Sequence, residues 1–393
     1  MNRSEAFPRP KLKYDDEKAM VDFLCDLIAL PSTSTSEERV IRRIEREMLE
    51  VGFKRVWIDR LGNVIGQYGV PGGKKLLFQA HSDTIGVGSR LEWERDPYEP
   101  RVIDGVVWGR GASDSKQAIA AMVYGVKALA DRSVQLDGEL YVAATVQEEE
   151  CEGLALSTLI EIDELRPDYI ILGEATGNHI HRGHRGRLEL TIDIHSTNAA
   201  YEGARMIVAL EELNKDFKDD PLLGRGSVSV TGVRAGTGTG ELVPDRCILL
   251  VDRRLTLGEE EEPALQELKD LAKKLGIRAE VSVLIYQEPS WRGFTRPRRK
   301  CFPTYVLESD HELIQKAACS IESVLGHPPE ITGRVSGTDG ASSAGGGGIP
   351  SITFGPGNEA HVHSFEDQVA VRDLVEAANI YSLMAIDLIG LAK

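Results

Sequence analysis

The sequence predicts an α/β fold in which a largely parallel β-sheet is covered by helices on both faces. In the first half of the chain, continuously apolar segments alternate with segments whose apolar residues recur at helical spacing. Strands that are apolar throughout are typical of a parallel sheet buried on both faces. A different pattern, in which apolar and polar residues strictly alternate, begins after Gly183 and indicates a second sheet.

The elements of the first half are expected in the following order. Two helices are predicted over 15–30 and 36–52, and Ser36 before two glutamates is typical of a capped helix start. The segment RVWIDRLGNVIGQYG predicts a hairpin around residues 61–63. There follow the strand KKLLFQA, the helix SKQAIAAMVYGVKALA and the strands ELYVAATVQ and PDYIILGE.

The segment after Gly183 predicts a compact β-α-β-β-α-β unit. Its first strand, RLELTIDI, places all its leucines and isoleucines on one face. The later elements are a helix over about 200–214, strands near 227–233 and 246–255, a helix over about 260–275 and the strand RAEVSVLIY. This order is that of the ferredoxin-like split unit.

The unit is inserted into another domain. At 393 residues the chain is longer than one ordinary domain. Past Pro289 a helix (ELIQKAACSIESVLG) and a strand (PSITFGP) resume. We therefore predict a discontinuous domain over 1–182 and 292–393, with an inserted domain over 183–291.

Composition excludes several classes of protein. The net charge of −16 and the sequence pI near 5.1 argue against binding to nucleic acid or to anionic membranes. Apolar stretches stay shorter than the ~18 residues of a membrane span, and the charged N-terminal segment is unlike a secretory signal. Five cysteines without CxxC spacing predict reduced thiols and a cytoplasmic location.

Acidic and histidine residues recur where apolar segments or glycine-rich turns end. They are His81, Asp114, Glu149, Glu174 and His363. In open α/β sheets such strand ends meet at one crevice. Two imidazoles and three carboxylates are the ligands that a pair of divalent ions, most often zinc, requires.

Each segment also has an ordinary interpretation. His81 and Asp83 could be satisfied by the backbone, although residues two apart in a strand share a side and a carboxylate can orient a metal-bound histidine. Asp114 could simply cap a helix. The acid run Gln147–Glu150 could be a solvated loop, yet like charges at a strand end are costly unless cations or protons compensate them. Within such a run one glutamate can bind metal while its neighbour accepts a proton from the attacking water.

Together these segments resemble the M20 family of zinc aminoacylases, deacetylases and peptidases, including the desuccinylase-like members. The resemblance covers nearly the whole chain and lies in the motifs HxD, GRGxxDxK, an acid pair, GE and GPG…H. It implies a zinc-exopeptidase-like fold with an inserted lid domain that mediates dimerisation. FPTYVLESDH (302–311) is similar to a branch described as selenium-metabolism hydrolases.

The resemblance also implies roles for individual residues. The metal ligands would be His81, Asp114 as the bridging ligand, Glu149, Glu174 and His363, with Asp83 orienting His81 and Glu148 as general base. His363 is preferred to His361 because it lies six residues after Gly357 and four before Asp367. Arg254, rather than Arg253, would bind a substrate carboxylate, and Gly337 and Thr338 of the SGTDG turn would face the same group.

Two departures from the family pattern leave alternatives open. Gln147 stands where relatives have an aspartate, and Glu150 extends the acid run, so the base and ligand could instead be Glu149 and Glu150. After His195 the loop is about a dozen residues shorter than in relatives. Either the protein lacks the lid histidine that helps to polarise the scissile carbonyl, or residues are missing from the sequence there.

The predicted function is a two-metal amidohydrolase with zinc, or cobalt or manganese, as the divalent ions. Its substrate would be an N-acyl amino acid or a small peptide-like amide with a free carboxylate, and the protein would be a homodimer. The alternatives are a metallo-carboxypeptidase or dipeptidase and a non-catalytic binding protein that kept the fold. A nucleic-acid or membrane partner is not expected.

Overall fold

The computed structural model describes residues 10–236 and 242–392 and confirms the α/β fold. The α-helices are α1 (Tyr14–Ile28), α2 (Glu38–Val51), α3 (Lys116–Ala130), α4 (Leu154–Glu161), α5 (Ala199–Leu213), α6 (Glu261–Lys274), α7 (Glu312–Leu325) and α8 (Val371–Ile389). The first strands are β1 (Arg55–Ile58), β2 (Val64–Gly69), β3 (Lys74–His81), β4 (Arg101–Ile103), β5 (Val106–Trp108), β6 (Gly138–Thr145), β7 (Tyr169–Leu172) and β8 (Ile180–His184). Those of the middle are β9 (Gly186–His195), β10 (Asp219–Asp220), β11 (Gly224–Arg225), β12 (Ser227–Ala235), β13 (Arg246–Leu255), β14 (Ala279–Val283) and β15 (Ile285–Tyr286). The last are β16 (Arg298–Arg299), β17 (Cys301–Phe302), β18 (Tyr305–Val306), β19 (Ile331–Arg334), β20 (Ser351–Thr353) and β21 (Gln368–Ala370).

The central sheet has the order β1-β2-β6-β3-β7-β20-β8-β18, with β19 also paired to β8. Its middle strands β6, β3, β7 and β20 run parallel, and the predicted hairpin β1–β2 is confirmed at one edge. Every residue of β6 is buried, as expected for a strand covered on both faces. Because β6, β3 and β7 are parallel neighbours, the residues that follow them meet at one edge of the sheet.

The segment after Gly183 forms its own sheet, which we call the lid sheet, in the order β12-β13-β9-β14 with β17 beside β9. Its chain order, β9-α5-β12-β13-α6-β14, is the predicted β-α-β-β-α-β. Leu188, Leu190, Ile192 and Ile194 of β9 are all 0% exposed and pack in a separate hydrophobic core. The predicted domain boundaries stay a prediction.

All five cysteines are free thiols. Among the described residues, no helix is long and apolar enough to cross a membrane. The cytoplasmic location inferred from the cysteines stays a prediction.

Candidate metal centre

The candidate ligands come from the carboxyl ends of neighbouring strands and from two loops beside them. His81 is the last residue of β3, Glu149 follows β6 and Glu174 follows β7. Asp114 lies in the glycine-rich turn before α3, and His363 lies in the loop between β20 and β21. The fold therefore brings all five residues to one place.

Asp114 lies between the two imidazoles. Its Oδ1 is 3.2 Å from His81 Nε2, and its Oδ2 is 2.9 Å from His363 Nε2. Glu174 Oε1 lies 3.8 Å from His81 Nε2, whereas Glu149 Oε2 lies 3.0 Å from His363 Nε2. The residues thus form two clusters, each with one histidine and one glutamate, which share Asp114.

The protonation of His81 tests whether a cation fits here. Its Nδ1 lies 2.8 Å from the main-chain oxygen of Asp83, which can only accept, so Nδ1 carries a proton. Burial opposes charge on His81, yet Glu148, Asp114 and Glu174 raise its pKa well above the usual range, so Nε2 also carries a proton, which Asp114 Oδ1 accepts at 3.2 Å. Carboxylate oxygens of Glu174 and, at 4.0 Å, Glu148 face the same nitrogen. A cation between these acceptors satisfies all of them, so the donor set fits a divalent metal.

The electrostatics of the two clusters also fit a divalent metal. Burial raises the pKa of Glu174 to about 7, although Arg334 partly offsets it, and burial raises the pKa of Glu148 well above its usual range. Burial would also raise the pKa of Asp114, but hydrogen bonds from His363 and His81 hold it far below its usual range. Burial opposes charge on His363, yet Asp114 and Glu149 raise its pKa to about 10. Protons here balance negative charge that divalent cations can balance instead.

The glutamates of the acid run have different surroundings. Glu148 is 8% exposed and faces His81, whereas the side chain of Glu150 is 60% exposed and lies 3.9 Å from Lys300. Glu149 Oε1 accepts from the main-chain N–H of Ile85 at 3.1 Å, and both oxygens of this carboxylate face His363 Nε2, Oε2 at 3.0 Å and Oε1 at 3.2 Å. Glu148 and Glu149 therefore face the two histidines, whereas Glu150 points toward solvent and Lys300.

Asp83 contacts His81 through a different atom from the one predicted. The main-chain oxygen of Asp83 holds the imidazole, and its carboxylate lies 3.7 Å from Nδ1. That carboxylate instead accepts from the main-chain N–H groups of Glu148 and Glu149 at 3.1 and 3.2 Å, and from the hydroxyl of Ser34 at 2.7 Å. Asp83 therefore positions the acid run as well as the histidine.

Glu37, which no sequence motif marked, also supports the acid run. This residue is fully buried and accepts from the main-chain N–H groups of Gln147 at 3.1 Å and Thr35 at 3.0 Å. Glu37 and Asp83 together hold three consecutive N–H groups of the acid run. Glu37 also occupies the N-cap position of α2, so the predicted capping by Ser36 is wrong.

Asp367 holds the turn that presents Asp114. It is buried and accepts from Arg110 at 3.0 Å and from the main-chain N–H groups of Gly111 and Ser113 at 2.7 and 2.8 Å. A short 3₁₀-helix that ends at His361 precedes His363. The ring of His361 lies 3.4 Å from Gln368 Nε2, and His363 is the histidine that faces Asp114.

The clusters open into a cavity of about 340 Å³. The cavity is lined by His81, Ile85, Asp114, Glu148, Glu149, Glu152, Glu174, Arg187, Arg254, Arg334, Ser336, Gly337, Val362 and His363. Arg254 and Gly337, both predicted to bind substrate, are part of this wall. Thr338 is fully buried, and its hydroxyl accepts from the N–H of Gly340 at 3.1 Å.

Two further residues of the lid sheet lie away from the cavity. Arg253 is 1% exposed, pairs with Glu259 and stacks 3.7 Å from the ring centroid of Phe217. His195, at the far end of β9, has its Nε2 3.2 Å from Asp193. Arg254, and not Arg253, lines the cavity, and the alternatives for the short loop after His195 stay a prediction.

Residues 77–387 match the sequence model of a protein family, "Peptidase family M20/M25/M40". The chain belongs to this family. As an M20 protein it is a metal-dependent hydrolase that acts on amide bonds. The five clustered side chains described above are its candidate ligands for divalent metal.

Three known proteins illustrate the relationship. The uncharacterized protein YgeY of Escherichia coli (strain K12) is 36% identical, with 94% of each chain covered. The succinyl-diaminopimelate desuccinylase of Bordetella avium (strain 197N) is 26% identical over 92% of this chain and 97% of its own. The solved structure of YXEP from Bacillus subtilis, a dinuclear metal-binding peptidase of the M20 family, has a TM-score of 0.71 at 16% identity and covers 96% of this chain and 99% of its own.

Proposed function

We propose that this M20 protein is a two-zinc amidohydrolase that cleaves the amide bond of an N-acyl amino acid or a related small amide with a free carboxylate. The observation that carries the proposal is the Asp114 carboxylate, whose two oxygens face two different imidazoles at 3.2 and 2.9 Å. A carboxylate placed in this way is suited to bridge two cations.

Each metal would have its own protein ligands. His81 and Glu174 would hold one ion, His363 and Glu149 would hold the other, and Asp114 would contact both. When bound, two zinc ions supply Lewis acidity that polarises an amide carbonyl and makes water more acidic. Zinc is proposed because nitrogen and carboxylate ligands suit it; cobalt and manganese also accept this donor set.

Glu148 is proposed as the general base. Its side chain is buried, lines the cavity and lies 4.0 Å from His81 Nε2, and its main-chain N–H is held by Asp83. It would accept a proton from the attacking water and then donate that proton to the leaving amine. Asp83 would keep Glu148 and the His81 ring in place.

Arg254 is proposed to bind the carboxylate of the substrate. Asp252 accepts from its Nε at 2.8 Å and from its Nη2 at 3.2 Å, which fixes the guanidinium and leaves Nη1 as a donor at the cavity wall. Gly337 lies on the same wall. The C-terminal carboxylate of a dipeptide would fit the same arginine, so a dipeptidase is the second candidate function.

The proposal is tested by metal analysis and an activity screen on the purified protein. We expect up to two zinc equivalents per chain and hydrolysis of N-acyl amino acids that stops on chelation and returns with zinc. Faster turnover of dipeptides would favour the second candidate. Tightly bound zinc without hydrolysis of either class would favour a binding protein, and chelator-insensitive turnover would contradict the metal mechanism.

We also propose that the protein is a homodimer joined through the lid sheet. Strand β12 is at the edge of this sheet and pairs with β13 on one side. An edge strand presents unpaired main-chain groups that can bond to a second copy. The resemblance to family dimers, stated above, supports the same arrangement.

A further inference from the structure

Glu152 is a buried carboxylate in the wall of the cavity and has no role in the proposed chemistry. It is 6% exposed, and its Oε1 accepts from Arg187 Nη1 at 3.1 Å. Its Oε2 is buried and has no hydrogen-bond partner among the described residues. A Cβ placed on Gly337 would lie 2.0 Å from this oxygen, so the carboxylate lies directly against that glycine. The protein's own carboxylate thus occupies the position beside Gly337 that was predicted to face a substrate carboxylate.

Glu152 shares Arg187 with two other carboxylates. Arg187 also bonds to Glu189 through Nη2 at 3.0 Å and to Asp252 through Nε at 2.7 Å, so three carboxylates share this one guanidinium. Asp252 accepts from Arg254 as well. Each nitrogen of Arg187 thus has a carboxylate partner, and a further anion beside Glu152 would be repelled by the Glu152 carboxylate. A cation would instead find an unpaired carboxylate oxygen.

We propose that Glu152 determines the charge of the accepted substrate by binding an ammonium group, while Arg254 binds the carboxylate. This inference rests on the proposed function and narrows its substrate class to amides that carry both a carboxylate and a separate positive charge. A charge-assisted hydrogen bond between an ammonium and a buried carboxylate is stronger than one between neutral groups. A site with a buried polar group also discriminates against a ligand that leaves it unpaired.

The test compares three substrates of similar length that differ in side-chain charge: Nα-acetyl-lysine, Nα-acetyl-glutamine and Nα-acetyl-glutamate. For the zinc-loaded wild type we expect kcat/KM to fall in that order. Glu152→Gln keeps the shape of the side chain but removes its charge. It should lower kcat/KM for the lysine compound by about tenfold or more, raise it for the glutamate compound and change the glutamine compound least.

Two further variants serve as controls. Glu189→Gln removes a carboxylate from the same arginine, but Glu189 does not line the cavity, so the wild-type order should be kept. Glu152→Asp keeps the charge and should keep the preference for the lysine compound. This second variant also provides the comparison if the glutamine variant folds poorly, which is checked by its melting temperature.

The same compounds are titrated calorimetrically into the zinc-loaded protein, so that the charge preference is measured with or without turnover. Equal affinity for the lysine and glutamate compounds, or a Glu152→Gln effect of the same size on all three, would overturn the role of Glu152. Failure of the proposed function has a different signature, since hydrolysis of all three compounds would then be absent while the calorimetric order still reports on Glu152.

Discussion

Glu148 and Glu149 are adjacent, but their carboxylates face different parts of the site. Glu148 lies near His81 on one side of Asp114, and Glu149 contacts His363 on the other. Their main-chain N–H groups are held by the two oxygens of one carboxylate, Asp83. The proposed roles of these two neighbouring acids therefore follow from the directions of their side chains and not from distance along the chain.

Substituting each glutamate separately tests this division. Glu148→Gln should keep the fold and both metals but lower turnover by at least the ~10²–10⁴ typical of a lost general base. Glu149→Gln should weaken metal binding, because it removes an anionic ligand from a dication. Zinc content and kcat are measured for both variants. Loss of metal in Glu148→Gln together with retained metal in Glu149→Gln would reverse the assigned roles.

We expect His184, which lies outside the cavity, to make the stability of the fold depend on pH. Burial lowers the pKa of this fully buried imidazole to about 4, although Nδ1 bonds to the main-chain oxygen of Arg185 at 2.7 Å. In the unfolded chain a histidine has a pKa of about 6.5. Below that pH the unfolded state binds more protons, so stability falls as the pH falls from about 6.5 toward 4.

The contribution of His184 is measured by urea unfolding of chelator-treated protein at about pH 7.5 and about pH 5. His184→Gln cannot be protonated, so its loss of unfolding free energy between these values should be smaller than that of the wild type by about 2 kcal/mol. His327→Gln, which changes an exposed histidine, is the control and should retain the wild-type pH dependence. An unchanged dependence in His184→Gln would contradict the prediction.

At the scale of elements, the turn before α2 supports the segments that follow β3 and β6. Ser32 Oγ donates to the main-chain oxygen of Ser82, Ser34 donates to Asp83, and Glu37 accepts from Gln147. Gln147 has a φ of +61°, a conformation that L-residues adopt only when their surroundings require it. The turn thus fixes the backbone from which Glu148 and Glu149 project.

Removing the Glu37 carboxylate tests this support. Glu37→Ala should lower kcat about tenfold or more with little change in KM, because the base would be less well placed while Arg254 is unaffected. Metal affinity should also fall by about 10–100-fold, which is typical when a residue that orients a metal ligand is lost. Glu37→Gln retains an acceptor and should recover part of both properties.

Glu47→Ala is the matched control for this prediction. Glu47 is a buried acid within α2, whereas Glu37 lies at its N-cap. Glu47 is 5% exposed and contacts Arg43 and Tyr124 away from the cavity. Its loss should lower the melting temperature but leave kcat and metal affinity close to wild type. Equal effects of Glu37→Ala and Glu47→Ala on kcat would show that Glu37 is merely structural.

At the scale of the whole molecule, the lid sheet and the central sheet meet at the cavity. Arg187 and Arg254 come from the lid sheet, and Glu148, Glu152 and Glu174 come from the loops at the end of the central sheet. The ion pair between Arg187 and Glu152 joins the two parts at 3.1 Å. Both sheets are therefore needed to form one substrate cavity.

The proposed dimer is predicted at this scale. Light scattering at micromolar concentration should give a mass near twice the 43.1 kDa of the chain. Val230→Pro, a substitution inside the edge strand β12, should shift the protein toward the monomer. Proline has no N–H to donate to a neighbouring strand, and it distorts the edge of the sheet. Proline at Val335, which is exposed and outside the lid sheet, is the control; a wild-type mass of one chain would refute the dimer.

The sequence by itself determined the strands, the inserted β-α-β-β-α-β order and the candidate ligands at strand ends. These features depend on local periodicity and on residues a few positions apart, and local sequence reports them directly. The family motifs added the choice of His363 over His361 and of Arg254 over Arg253, both of which agree with the positions of these side chains.

Only the tertiary structure decided which groups hold and complement these residues. Glu37 bonds to an N–H that is 110 residues away, Asp83 uses its carboxylate on the acid run, and Glu152 meets Arg187 across two sheets. A buried carboxylate is satisfied by whichever donors the folded chain brings to it, and these donors have no fixed spacing in sequence. The charge around the substrate therefore depends on contacts between distant segments, which no local pattern specifies.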